Sequence, residues 1–382
     1  QVAEAIAQVY PNNRRYHRAL LEHWHVAGQI DKEIYYLDSV AEYLIESKAD
    51  YDRGLALLER GLKHLAADDP RRVSLLNWLA KACYELRGEQ NVVRARQLAS
   101  EAHALAVRVN DLYGQIVSLD RLAMCLMVLD DANVAAERYF RQALNIAQSI
   151  EDKGKIAHLS FHLGVMSYRQ GKLDEALALY QRAIPIQRQV GDQNGLASTL
   201  DHLGQIFLAK GDYEQAQHSL KQSLELYQSL GLSHSSAWSL LNLGRVPIAL
   251  GDYEQAEHLL HQSLDIFRQY GISEGMSYCV LNLGRIAVAR ERFDQAEKYF
   301  TEGLGLAEAI DNRRSMAQAQ RLLGWLAFRQ ASYAQAEQRM QQGLALFQAR
   351  GEQRFEAEFL ARLVIVCLVL GEPGGAVSFL GT

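Results

Sequence analysis

The stretch "LNLGRVPIALGDYEQAE", from Leu241 to Glu257, returns almost unchanged as "LNLGRIAVARERFDQAE" from Leu281 to Glu297, 40 residues later. Each copy begins with apolar residues at helical spacing, breaks at a short polar turn and opens a second amphipathic run. Self-similarity at a fixed period of this length predicts a solenoid, in which each unit packs against a copy of itself.

The same positions recur along most of the chain. A Leu-Gly pair returns every 40 residues, with its glycine at Gly164, Gly204, Gly244, Gly284 and Gly324. Twelve residues after each glycine stands an alanine, at Ala176, Ala216, Ala256, Ala296 and Ala336, and the alanine also appears at Ala136 and Ala376. Glycines that signal turns stand at Gly171, Gly211 and Gly251, and at Gly191, Gly231, Gly271 and Gly351. The pattern therefore predicts a unit of two helices, and about 18–19 helices in all.

The small residues have a packing role in this prediction. Gly244 on the first helix and Ala256 on the second let the two helices approach closely, because bulk there would push them beyond the usual separation of about 8–10 Å. Asp252 is placed to cap the second helix, and Gly271 to end it.

These residues resemble the tetratricopeptide repeat (TPR). Its small position, seven residues after the alanine, holds Ala143, Ala183, Ser223, Ser263, Gly303 and Gly343. The resemblance covers about Tyr113 to Gly371, with a period of 40 rather than the usual 34 residues. It implies an all-α fold, a right-handed superhelical α-solenoid of TPR helix pairs with a concave groove. Units this long are similar to those of kinesin light chain, of spindle-orientation adaptors and of the sensor arms of bacterial STAND-type signalling ATPases.

The N-terminal third is less regular. We expect an irregular helical lead-in over 1–48, divergent TPR-like units over 49–112, regular units over 113–371 and a truncated last helix over 372–382. The lead-in resembles the junction where the TPR arm of a STAND ATPase begins, at His17, Leu20, Leu21, His23, Ala27, Gly28, Asp31, Lys32, Tyr36, Leu37 and Ala41. Glu33 stands where that family has alanine. The resemblance implies a nucleotide-binding domain upstream of Gln1.

Composition excludes several classes of function. A net charge of −5 offers no basic excess for nucleic acid. The longest apolar run, Leu363 to Leu370, is far shorter than the ~20 residues of a membrane span. Four cysteines without CxxC spacing fit a reducing, cytoplasmic compartment and no zinc framework. Without a Walker A or nucleophile motif, we predict neither an enzyme nor a cofactor.

The candidate ligand-binding residues lie on the first helix of each unit. Positions six, three and two residues before the glycine, and the one after it, should face the groove. The candidates are Trp238, Asn242, Arg245, Tyr278, Asn282, Arg285, Gln318, Arg321, Trp325, His162, Asp201 and His202. Asparagine amides would hold an extended peptide backbone, arginines a carboxylate or phosphate, and aromatic rings an apolar group.

Several alternatives stay open. The groove residues can be merely solvated, and the ligand can be an acidic peptide, a protein or a small molecule. His158, His162 and His202 with Asp201 have a zinc-like ligand set, although we expect no metal because twelve histidines make coincidence common. Pro185 and Pro247, inside predicted helices, would bend them. The chain is predicted to be either a STAND sensor arm or a free-standing peptide-binding adaptor of the kinesin-light-chain type.

Overall fold

The computed structural model describes residues 2–9, 13–86, 88–129, 133–348 and 363–365. These residues form eighteen α-helices and one π-helical turn, Tyr43–Ser47, and contain no strand. The chain divides into two compact units, residues 1–159 and 160–382. The predicted all-α fold of helix pairs is confirmed over the described residues.

The helices follow one another along the chain, and from residue 112 onward each is 16–18 residues long. They are α1 (Val2–Val9), α2 (Arg14–Val26), α3 (Ile30–Glu42), α4 (Tyr51–Lys63), α5 (Arg72–Glu85), α6 (Glu89–Arg108), α7 (Leu112–Leu129), α8 (Asn133–Ser149), α9 (Lys153–Arg169), α10 (Leu173–Val190), α11 (Gln193–Lys210), α12 (Tyr213–Ser229), α13 (Ser233–Leu250), α14 (Tyr253–Tyr270), α15 (Ser273–Ala289), α16 (Phe293–Glu308), α17 (Arg313–Arg329) and α18 (Tyr333–Gln348). None of the described helices is long and apolar enough to cross a membrane.

Between residues 151 and 331 the turns recur every 20 residues, and each turn contains one residue at positive φ. From 151 to 331 these residues are Glu151, Gly171, Gly191, Gly211, Gly231, Gly251, Gly271, Glu291, Asp311 and Ala331. The glycines were expected from the sequence, but the other four were not. Left-handed backbone costs an L-residue roughly 1–2 kcal/mol, so helix packing overrides local preference at those turns. The expected turn at Gly351 and the last helix over 372–382 lie outside the described residues.

Helix starts are capped as the sequence predicts. Asp252 precedes α14, and its Oδ1 accepts a hydrogen bond from the backbone N–H of Gln255 at 3.1 Å. Asp212 caps α12 in the same way through Gln215, also at 3.1 Å. Because a cap satisfies an N–H that the helix itself leaves unpaired, it favours the start of α12 and of α14 at these positions.

The repeated glycine brings the two helices of a pair together in the second unit. A Cβ on Gly284 would lie 2.4 Å from Cε1 of Phe300, and one on Gly204 would lie 2.5 Å from Cγ of Leu220. At Gly244 the nearest atom, Cγ of Leu260, is 3.2 Å away, so this pair is slightly more open. The contacted side chain stands sixteen residues after the glycine each time, which confirms the packing reason for the Leu-Gly pair.

The small residue of the second helix packs as closely. Ser223 and Ser263 are fully buried, and their hydroxyls donate to the carbonyl oxygens of Ala197 and Ala237 at 2.8 and 2.7 Å. In the next pair the direction is reversed, because Ser277 on α15 donates to the carbonyl of Gly303 on α16 at 2.8 Å. A small side chain at these positions therefore also satisfies polar groups between the helices.

In the first unit, several of the residues that resemble a STAND junction are buried in the core. Leu20, Leu21 and Leu37 are fully buried between α2, α3 and their neighbours. Glu33, the departure from the family pattern, is only 2% exposed. Its carboxylate lies 2.9 Å from Nη2 of Arg60 and 3.1 Å from Nδ1 of His25. The buried carboxylate is therefore balanced by a cation from α4.

The two prolines do not end their helices. Pro185 lies inside α10, and Pro247 lies inside α13. Each removes one backbone donor, but the turn after α13 still closes, with the N–H of Asp252 donating to the carbonyl of Pro247 at 2.9 Å. Both helices therefore continue past their prolines, and a bend at each proline stays a prediction.

Replacing Gly284 with alanine should destabilise the protein, while the same change at Gly305 should stabilise it. Both glycines lie inside helices, where alanine is favoured by roughly 0.5–1 kcal/mol. A Cβ at Gly305 meets nothing within 4 Å, whereas at Gly284 it collides with the ring of Phe300. Overpacking of a core typically costs about 1–3 kcal/mol. Urea unfolding of both variants checks this, and equal shifts in the two midpoints would show that the close approach is not constrained.

Ala331→Gly should stabilise the protein, because Ala331 holds a φ of 60° between α17 and α18. Glycine adopts this conformation without the cost of about 1–2 kcal/mol that a Cβ imposes, although its unfolded chain is freer. The reverse change, Gly251→Ala at a φ of 81°, should lower the melting temperature. A melting temperature that falls in Ala331→Gly would contradict the assigned turn geometry.

Candidate ligand pocket

A cavity of about 910 Å³ opens in the second unit and is lined mainly by the first helix of each pair, α9, α11, α13, α15 and α17. Eleven of the twelve candidates from the sequence line it: Trp238, Asn242, Arg245, Tyr278, Asn282, Arg285, Gln318, Arg321, Trp325, Asp201 and His202. His162 is not among the lining residues, and its ring lies 5.2 Å from that of Phe161. We call this cavity the arginine pocket.

Each first helix gives the pocket one stripe of side chains. On α17 the stripe is Arg314, Gln318, Arg321 and Trp325, and on α15 it is Glu274, Tyr278, Leu281 and Arg285. The spacing of four, three and four residues follows one face of an α-helix. Sequence reasoning missed Arg314 and Glu274, although the same stripe extended one turn toward the helix start would have found both.

Asn282 positions an arginine at the pocket. Its Oδ1 accepts a hydrogen bond from Nη1 of Arg285 at 3.0 Å, and its Nδ2 donates to the carbonyl of Tyr278 at 2.8 Å. The asparagine is 8% exposed, whereas the arginine beyond it is exposed. The recurring Asn-x-x-Arg spacing therefore places the acceptor one helical turn before the guanidinium that it orients.

The equivalent asparagine on α13 joins a longer chain of hydrogen bonds. Asn242 accepts from Nη1 of Arg245 at 3.1 Å and donates from Nδ2 to Oδ2 of Asp201 at 2.9 Å. Gln205 donates to the same oxygen at 2.9 Å. Burial raises the pKa of Asp201, and the hydrogen bonds and the charge of Arg245 oppose that rise. Asn242 on α13 therefore links Arg245, on the same helix, to Asp201 on α11.

Both asparagines have hydrogen-bond partners within the protein, and their predicted contact with a ligand stays a prediction. Asn242 and Asn282 were expected to offer their amides to a peptide backbone, yet both are buried and both use the oxygen and the nitrogen within the protein. An amide engaged at both ends orients its neighbours and gains little by releasing them to a ligand.

An aromatic cluster forms the side of the pocket next to α9 and α11. The ring of His202 lies 5.3 Å from that of Phe161 and 5.9 Å from that of Tyr180. Burial, followed by the charges of Arg169 and Arg314, lowers the pKa of His202 to about 4. The imidazole is therefore neutral near pH 7. Close by, the hydroxyl of Tyr227 pairs with that of Ser198 at 2.7 Å.

The histidines and the aspartate that were considered as zinc ligands make contacts with protein groups. Asp201 accepts from two amides through Oδ2, and His202 packs among rings. In the first unit, Nε2 of His158 lies 3.3 Å from both carboxylate oxygens of Asp120.

The charged residues that line the pocket are mostly basic. Arg245, Arg285, Arg314 and Arg321 contribute four positive charges, against the two carboxyl groups of Asp201 and Glu274. The whole chain has the opposite sign, with a net charge of −5. A concave basic surface on an acidic protein concentrates positive potential where a ligand would sit.

Comparison with known proteins agrees with the repeat pattern. The family model described as tetratricopeptide repeat matches residues 155–229, 220–269 and 276–349. A search of curated proteins found no match to this sequence.

Solved structures with the same architecture match nearly the whole chain at low identity. The apo form of the quorum sensor NprR from B. thuringiensis is 17% identical, with a TM-score of 0.65 over 90% of this chain and 99% of that one. A Rap protein in complex with Competence and Sporulation Factor is 16% identical, with a TM-score of 0.64 and the same coverage. The Rap conjugation gene regulator of plasmid pLS20, in complex with the Phr* peptide, is 15% identical, with a TM-score of 0.60 over 89% of this chain and 96% of that one.

At these identities the likeness establishes the fold alone, and the fold agrees with the family match. The chain therefore has an all-α solenoid fold, and its residues 155–269 and 276–349 match the tetratricopeptide repeat model.

Proposed function

We propose that this chain is a non-enzymatic binding module whose arginine pocket takes a carboxylate-bearing peptide or protein segment. The observation that carries the proposal is the excess of arginines over acidic residues among the side chains that line the cavity of about 910 Å³. These arginines stand on the first helices of successive pairs. Guanidinium groups bind carboxylates through two parallel hydrogen bonds, which favours an acidic ligand over a neutral one.

The arginines are arranged for binding rather than for packing. Arg285 is exposed and is oriented by Asn282, so its guanidinium is presented with little loss of side-chain entropy on binding. Trp238, Tyr278 and Trp325 add aromatic surface to the same pocket. Arginine and aromatic residues together are typical of the positions that carry most of the energy of an interface.

Peptides are found in some structures of this architecture. The Rap conjugation gene regulator carries the Phr* peptide, and one structure of NprR contains its cognate peptide NprX. These ligands belong to those proteins. They support the proposal only by showing that the fold can hold a peptide.

We further propose that the module is the cytoplasmic sensor arm of a larger STAND-type signalling ATPase. The support is the resemblance of residues 17–41 to the junction of such proteins. The packing of Leu20, Leu21 and Leu37 shows that these residues also build the first unit. The alternative is a free-standing adaptor. A P-loop and a winged helix encoded upstream of Gln1 would support the sensor arm, and an initiator codon directly before Gln1 would support the adaptor.

Binding should fail when two pocket arginines lose their charge. We would select ligands from a random hexapeptide library with this chain, and measure the Kd of the most enriched peptide by calorimetry. Arg285→Gln combined with Arg321→Gln should weaken that peptide at least tenfold, or about 1.4 kcal/mol, because both charges line the pocket.

Arg268→Gln is the matched control. This arginine lies on α14 outside the pocket, is 56% exposed and pairs only loosely with Asp265 at 3.7 Å. Its loss should leave the Kd within twofold, because surface changes of this kind rarely act at a distance. Retention of no peptide, or equal Kd values for the pocket variant and the wild type, would overturn the proposal.

A further inference from the structure

We propose that the arginine pocket selects an amphipathic peptide segment, with acidic side chains against α15 and α17 and an aromatic or large apolar side chain against α9 and α11. This inference rests on the proposed function and specifies the class of ligand. It follows from the different chemistry that successive repeats place at equivalent positions.

One register position shows the change from repeat to repeat. Three residues before each Leu-Gly glycine, the chain carries Phe161, Asp201, Leu241, Leu281 and Arg321 in turn. All five line the same cavity. Equivalent positions in a solenoid point to the same side, so the pocket changes from aromatic at α9 to basic at α17. A ligand that is apolar throughout, or acidic throughout, would therefore fit one side of the pocket better than the other.

The side formed by α9 and α11 suits an apolar group. Phe161 and His202 stand edge to face, and the imidazole is neutral because its pKa is about 4. Nδ1 of His202 is buried and has no hydrogen-bond partner among the described residues. A ring or a branched apolar side chain against this cluster would bury aromatic surface at about 25 cal/mol per Å².

The negative charge on this side is already engaged. Asp201 is 7% exposed, and Oδ2 accepts from Gln205 and Asn242, the second of which also accepts from Arg245. Arg245 therefore stands beside a buried carboxyl group, and a ligand carboxylate approaching it would compete with that group. The acidic part of the ligand should accordingly go elsewhere in the pocket.

The side formed by α15 and α17 suits an anionic group. Arg285, Arg314 and Arg321 line it, and Glu274 is the one acidic side chain that these two helices add to the lining. The register equivalents of Asp201 on α13 and α15 are Leu241 and Leu281, so neither of these helices has an acidic side chain at that position. An acidic ligand group is therefore favoured here by net charge.

Both sides belong to one cavity that a single segment can fill. Phe161 and His202 on one side, and Arg285, Arg314 and Arg321 on the other, all line this cavity. A volume of about 910 Å³ lies within the range of roughly 300–1,000 Å³ that ligand pockets usually have.

The test is a set of double-mutant cycles on N-acetylated, C-amidated hexapeptides selected by the wild-type chain. Blocked termini ensure that any selected acid is a side chain. Two analogues of the most enriched peptide are made, one with its acidic residue changed to the corresponding amide and one with its aromatic or large apolar residue changed to alanine. Their Kd values are measured on the wild type, on Arg285→Gln with Arg321→Gln, and on Phe161→Ala.

The amide analogue should bind the wild type at least tenfold more weakly but lose less than threefold on the arginine variant. Relative to the selected peptide, the alanine analogue should lose the same affinity for the wild type as for the arginine variant. Its loss of affinity for Phe161→Ala should be smaller. Phe161→Leu, which keeps an apolar side chain, replaces Phe161→Ala if circular dichroism shows that the alanine variant does not fold.

Enriched peptides that lack either an acidic or a large apolar residue would overturn the inference while leaving peptide binding intact. The inference would also be overturned, with peptide binding intact, if the loss caused by the alanine analogue depended on the pocket arginines. It would be overturned likewise if neither analogue's loss depended on the protein variant. If the library yields no retained peptide, the proposed function itself fails, so the two failures are distinguishable.

Discussion

Contact between a glycine on one helix and the side chain sixteen residues later sets the distance between the helices of a pair, and the rest of the second unit depends on that distance. No Cβ fits at Gly204 or Gly284 without displacing Leu220 or Phe300. With the second helix packed this closely, the opposite face of the first helix is left to line the cavity. One small residue per repeat thus separates a packing face from a binding face.

The regular turns of the second unit each require a residue with a left-handed backbone, and two kinds of residue occupy that position. Along the middle of the second unit, the left-handed turn residue is glycine, which adopts that backbone freely. Toward its end, Glu291, Asp311 and Ala331 take the same conformation without that freedom. The turn is therefore imposed by the packing of the helices on either side, and glycine eases a geometry that tertiary contacts already require.

The pocket also shows how a repeat acquires chemistry without losing its fold. Asp201 and Asn282 stand on first helices and are both buried, yet one accepts amide hydrogen bonds beside Arg245 while the other orients Arg285. Buried polar groups of this kind must be satisfied, and here their partners come from the next turn or the next helix pair. In the first unit, the buried carboxylate of Glu33 lies 2.9 Å from Arg60 and 3.1 Å from His25.

The sequence by itself determined the helix pairs, the caps and the face of each first helix that lines the cavity, because these follow from local spacing repeated at a fixed period. Most of the pocket lining was foreseeable for that reason, and Arg314 and Glu274 were missed only because the stripe was cut one turn short. Only the tertiary structure decided what the polar residues do. Asn242 and Asn282 looked like groups available to a ligand, and Asp201 like a solvated groove residue. In the structure both asparagines are buried and hydrogen-bonded within the protein: Asn282 to Tyr278 and Arg285 on its own helix, and Asn242 to Arg245 on its own helix and to Asp201 on α11. Their burial depends on the neighbouring helices, which local spacing alone does not specify.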